Sequence, residues 1–242
     1  MKWNKLAWAA AVALALPQVA HALVIDFSQA MGGIPGNLGT STYTSGPVTA
    51  DAYYLKGNNY TNAADKGKKV TLFVRNEPFH DMGFGVCAPS EQSKSECAAP
   101  GKYKKGGGHV NELDNDGTKE MIRLTLADGW TWDNVWLSSI DNEKGQLWYS
   151  DKAGFNKDLS SFATLYKSYL GTPSEMSNVG LGSISDATYL YFVPGPKGSD
   201  NDQLLWTVSV DRVAQVPEPA TYGMFGLGLA MLGAIRLRRK AD

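Results

Sequence analysis

An all-β body, a β-sandwich of jelly-roll type, is what the sequence predicts, and three observations carry that prediction. Short apolar or alternating runs recur along the chain, each bounded by Gly, Pro, Asn or Asp, which is the pattern of strands and turns. The chain holds 26 glycines in 242 residues, a density of turn formers that suits a sandwich and not a helical bundle. No stretch between the termini carries a capped helical stripe, apart from a weak one at 159–170 (LSSFATLYKSYL). There is no internal repeat, which argues against a propeller or solenoid.

In chain order the clearest runs are 69–75 (KVTLFVR), 120–126 (EMIRLTL), 134–140 (NVWLSSI), 146–150 (QLWYS), 187–194 (ATYLYFVP) and 203–210 (QLLWTVSV). Their β-branched and aromatic residues fit a pleated surface. Trp130, Trp132 and Trp136 fall at even spacing in GWTWDNVW, so a regular strand sets them on one face. Indoles placed so fill a sandwich core. A sugar-stacking ligand platform is the alternative.

The two ends are of another kind. Lys2 and Lys5 precede an apolar stretch at 6–16, Pro17 breaks it, and Ala20-His21-Ala22 is an A-x-A cleavage site. That order defines a secretory signal peptide, residues 1–22, with the mature chain starting at Leu23. The secretion translocon and signal peptidase are the partners it implies. At the other end, residues 220–235 are 16 uncharged residues, which as a helix extend about 24 Å. A hydrocarbon core is about 30 Å thick, so Arg236, Arg238, Arg239 and Lys240 must snorkel to the headgroups. These four cations hold the C-terminus in the cytoplasm and leave the body outside, a transient one-pass transmembrane anchor. Gly226, Ala230 and Ala234 form a small-residue stripe that lets another membrane helix approach. Upstream, the two prolines of Val216-Pro217-Glu218-Pro219 forbid regular structure and leave the segment extended for a protease.

Between these ends lies a body, residues 23–215, of a length that suits one large domain or two small ones. It carries 17 Lys and Arg against 22 Asp and Glu, a formal −5. A mildly acidic body argues against nucleic acid as a partner, since phosphates need a concentrated basic face. Cys87 and Cys97 have nine residues between them. Export favours a disulfide over free thiols, and closing so short a loop stabilises by about 2.5–3 kcal/mol. With no second pair and no histidine set, they are no zinc site.

The acidic stretch 111–120 (NELDNDGTKE) alternates Glu112, Asp114 and Asp116 before Gly117, like the start of a calcium loop. An EF-hand then needs Glu at its twelfth position, where Arg123 stands. A simpler structural calcium site, completed by Asp141, Asn142 or Glu143, is one expectation; an ordinary acidic turn is the other. The run 199–202 (SDND) is a weaker second candidate. No other cofactor is implied.

VPEPAT, a short apolar span and an Arg-rich end together resemble the PEP-CTERM sorting signal of Gram-negative bacteria. The resemblance covers residues 216–242. It implies an integral-membrane exosortase that reads Pro217, Glu218 and Pro219 and discards the segment after them. The order GFGVC (83–87), NELDN (111–115) and VxLSSID (135–141) is similar, more loosely, to a pattern common in the bodies of such proteins over roughly residues 70–212. That likeness implies a sandwich on the cell surface or in the extracellular matrix. Residues 102–109 (KYKKGGGH) depart from it as an insertion. They lack the phosphate-loop pattern; a solvated loop is expected, with contact to an acidic polysaccharide as the alternative.

Catalysis has little to work with. The mature chain keeps His80 and His109 and has neither G-x-S-x-G nor H-E-x-x-H. The expectation is a non-enzymatic exported protein of the envelope, surface or biofilm matrix, structural or binding exopolysaccharide. The alternatives are a polysaccharide hydrolase or lyase with the same address, whose paired carboxylates no sequence spacing reveals, and a periplasmic protein that keeps its anchor.

Overall fold

The computed structural model describes residues 22–77, 81–94, 97–100, 102, 112–115, 118–139, 144–170, 176–195, 203–213 and 226–229. Fourteen strands among them pair antiparallel throughout. They are β1 (Ala22–Asp26), β2 (Gly36–Asn37), β3 (Thr42–Ser45), β4 (Val48–Lys56), β5 (Asn59–Thr61), β6 (Thr71–Asn76) and β7 (Met82–Cys87). The second half adds β8 (Glu120–Leu126), β9 (Trp130–Ser138), β10 (Lys144–Ser150), β11 (Thr164–Leu170), β12 (Met176–Gly180), β13 (Tyr189–Pro194) and β14 (Leu204–Arg212). One sheet runs β12-β9-β14-β7-β6-β2, with β1 also on β14; the other runs β11-β10-β13-β8-β4-β3, with β5 on β4. The body is a β-sandwich.

Alternation builds the layer between the sheets. Ile122, Leu124 and Leu126 of β8, Ala50 and Ala52 of β4, Leu72 and Val74 of β6, and Leu190 and Phe192 of β13 share the main core. Several of the intervening residues are buried too. Tyr53, Met121, Tyr191 and Val193 form a second core on the outside of the β8 sheet with Tyr60 and Leu159. Phe73 packs with Cys87 and Cys97 on the outside of the other sheet. Strands covered on both faces read as near-continuous apolar runs, which is why 187–194 (ATYLYFVP) lacks a polar face.

The segment 151–163 contributes Leu159 to that second core, and the weak helical stripe noted at 159–170 is not a helix. Leu159–Ser161 is one 3-10 turn capped by Asp158, whose side chain accepts from Ser160 N; β11 follows at Thr164–Leu170 as an edge strand on β10. Close backbone approach fixes one glycine. At Gly83 φ is +121°, and a Cβ there would stand 2.2 Å from the Leu205 carbonyl oxygen of β14.

His21–Arg212 is one unit and holds every one of these strands. β1 starts at Ala22, the last residue expected to leave with the signal peptide. The rest of that peptide lies outside the described residues, as do Val216 to Pro219 and Arg236, Arg238, Arg239 and Lys240. Of the expected apolar span, residues 226–229 are helical and exposed. Among the described residues no helix is long and apolar enough to cross a membrane.

Candidate functional site

The three tryptophans expected on one face are separated. Trp132 is buried in the core, with its indole Nε1 donating to Ala187 O at 2.6 Å. Trp130 packs half-buried against the core rim. Trp136 points outward and is 38% exposed. A β-bulge is the reason. Val210 pairs with Trp132 and Ser209 with Asn134, so Asp133 is an extra residue on β9 that resets the alternation.

A second bulge lies opposite. Leu205 pairs with Leu137 and Thr207 with Trp136, leaving Trp206 as the extra residue on β14. Leu205 and Val208 stay in the core while Trp206 turns out beside Trp136. The two indoles meet edge to face, with centroids 6.2 Å apart at 70°. With Met176 and Thr207 they line a cleft of about 280 Å³. The Trp206 Nε1 is shut off from solvent and has no hydrogen-bond partner among the described residues. An unmatched buried donor costs about 1–3 kcal/mol, and a ligand acceptor recovers that loss only if the indole turns to expose it. Sequence periodicity misses Trp206, because it stands in phase with Leu204, Val208 and Val210 and reads as core.

The expected calcium residues fall into different networks. Asp116 and Asp141 lie outside the described residues. Glu112 is buried against Arg75, whose Nη1 donates to Glu112 Oε1, and Ser139 Oγ donates to its Oε2 at 2.7 Å. The same guanidinium reaches Asp81, with Glu77 at 3.6 Å. Asp114 is buried on the other side, beside Glu91 and Glu120. There Ala88 N donates to Glu91 Oε2 and to Glu120 Oε1, both at 3.1 Å, and Asp114 N donates to Glu120 Oε2 at 3.3 Å. Burial, then the charge of Asp114, pushes the Glu91 carboxyl up to about 7. Burial and the two neighbouring acids hold Glu120 well above the carboxylate range. These groups keep protons by being dry. Among the described residues no group of three or more His, Cys, Asp or Glu side chains is arranged to hold a metal ion. Cys87 and Cys97 are joined as a disulfide.

On the other sheet Arg123 organises an aromatic box. Its guanidinium lies 5.2 Å from the Tyr53 ring and 5.3 Å from those of Phe155 and Tyr189, and Nη2 donates to Asp51 Oδ2 at 2.8 Å. The box pins Phe155 of segment 151–163 to the sheet.

Fold and site thus define a β-sandwich with an aromatic cleft on one outer face. The family model of the PEP-CTERM protein-sorting motif matches residues 215–240. The chain therefore carries a PEP-CTERM sorting motif, the mark of an exported protein addressed to the cell envelope or surface. The match covers the tail alone. No curated protein matches the chain. Among solved structures, the K1 cleaved adhesin domain of Lys-gingipain from Porphyromonas gingivalis W83 is similar at 12% identity over 79% of this chain and 95% of that one, with a TM-score of 0.33. So loose a likeness carries no argument.

Proposed function

We propose that the body is a non-enzymatic surface or matrix protein that binds exopolysaccharide through the Trp136–Trp206 cleft. The observation that carries this reading is the pair of outward indoles, with Trp136 exposed and Trp206 edge to face beside it, lining one cleft. Sugar rings present apolar C–H faces that stack on an indole, and the cleft offers two such surfaces. Contacts of this kind are weak singly and gain strength along a repeating polymer.

The buried carboxyls support a binder over a hydrolase. Glu91 and Glu120 hold protons, but at 3% and 0% exposure they have no path to a polymer chain. A calcium ion on the 112–116 segment is a further proposal resting on sequence pattern, and Glu112 would have to leave Arg75 to serve it. The tail completes the reading: an exosortase cuts near Pro217-Glu218-Pro219 and removes the segment behind.

Tryptophan fluorescence tests the cleft. Titrating oligosaccharides cut from the host polymer should quench or shift the emission, and Trp136→Ala or Trp206→Ala should weaken binding about tenfold. Unchanged affinity in both variants would remove the cleft from the account.

A further inference from the structure

A second cleft, of about 340 Å³, opens at the far edge of the same sheet, where β2 meets β6. Asn37, Thr71 and Gln92 line it, and Lys68 and Lys69 contribute exposed side chains. The volume is that of a small-ligand site.

Its polar lining is fixed from behind. Asn37 Nδ2 donates to Gln92 Oε1 at 3.0 Å and to Cys97 O at 3.2 Å; Gln92 Nε2 donates to Thr71 Oγ1 at 2.7 Å and to Cys87 O at 2.8 Å. Both amides reach the main chain of a disulfide cysteine, so the Cys87–Cys97 bridge holds them as a unit. Asn37 N donates to Ala98 O at 2.9 Å. Gly36 lets the 97–100 segment lie close, since a Cβ there would stand 2.4 Å from Pro100 Cα. The Thr71 hydroxyl accepts from Gln92, and its own proton has no acceptor among the described residues. A hydroxyl both accepts and donates, so one donor remains for a ligand.

The charge at this corner opposes that of the body. Lys68 and Lys69 have no carboxylate partner among the described residues, and Asp65 of the same turn is held by Lys56 at 2.7 Å. Lys66 is exposed beside them. Two unpaired ammonium groups over a neutral, hydrogen-bonding lining call for a small anion that also carries hydroxyls.

We propose that this cleft binds a carboxylated sugar unit of an acidic polysaccharide. The uronate-type carboxylate lies between Lys68 and Lys69, and the Thr71 hydroxyl donates to a sugar oxygen. This deepens the reading above and rests on the premise that the body meets a polysaccharide, but it shares no residue with the tryptophan cleft.

The test is calorimetric titration of the full-length chain, kept in non-ionic detergent, with trigalacturonate, maltotriose and tripolyphosphate. Trigalacturonate should bind more tightly than the other two, and its affinity should fall as salt rises. Lys68→Gln with Lys69→Gln should weaken it about five- to tenfold, as two exposed ion pairs allow, while Trp206→Ala leaves it unchanged. Both lysines are exposed, so folding is not at risk. Wild-type affinity in the double lysine variant, or equally tight binding of maltotriose or tripolyphosphate, overturns the proposal. Tryptophan-dependent binding of host oligosaccharide without any binding of trigalacturonate overturns this inference alone and leaves the first cleft standing.

Discussion

Glu91 keeps its proton where a surface carboxylate has lost it, and this sets a pH dependence. Its value in the fold is about 7 against the ordinary 4.5, raised by burial and by Asp114. A carboxyl raised on folding favours the folded state while protonated. That contribution is fully present below about 4.5 and is gone once pH has risen past about 7. Thermal unfolding should therefore show Tm falling across this window, and Glu91→Gln should flatten the fall. A Tm that rises from pH 5 to 7, with no change in the variant, would place the stabilising charges elsewhere. None of this was legible in NELDNDGTKE. The stretch displays the acids, Glu120 among them, but Arg75 and Glu91, which help to decide their state, come from another strand and a turn.

At the scale of elements, strands were readable and their irregularities were not. The run 120–126 is β8 residue for residue, because alternation there is regular. Trp132 and Trp136 were assigned a common face because a sequence does not announce a bulge. The structure makes them unequal, and stability tells them apart. Trp132→Ala should cost about 3–5 kcal/mol, whereas Trp136→Ala should cost under about 1 kcal/mol, both read from urea unfolding. Equal losses would mean that the bulge at Asp133 is absent. The weak helical stripe at 159–170 has a related origin: its apolar residues serve two elements, Leu159 sealing the second core and β11 extending the sheet edge. Arg123→Ala should cost about 3 kcal/mol by stranding the Asp51 carboxylate, whose side chain is 10% exposed. It should also open 151–163 to limited proteolysis before the sheets unfold.

For the whole molecule, address and body are separate instructions. The tail was legible because a sorting signal works as linear sequence, read by another protein before or without folding. The two clefts were not, because each is assembled from segments far apart in the chain: Trp136 with Trp206, and Asn37 with Thr71 and Gln92. If the tail is a handle for processing, the mature protein ends near Pro219, and its intact mass lacks residues 220–242. A mature mass that retains them would make the tail a lasting anchor. The central claim is that the body holds exopolysaccharide without cutting it. The most direct test is co-sedimentation of residues 23–215 with the host's purified polymer, with calcium and with chelator, while polymer length is followed. The account predicts retention at constant polymer length, lost when Trp136 and Trp206 are both changed to Ala. Shortening of the polymer, or a body that stays in the supernatant, would contradict it.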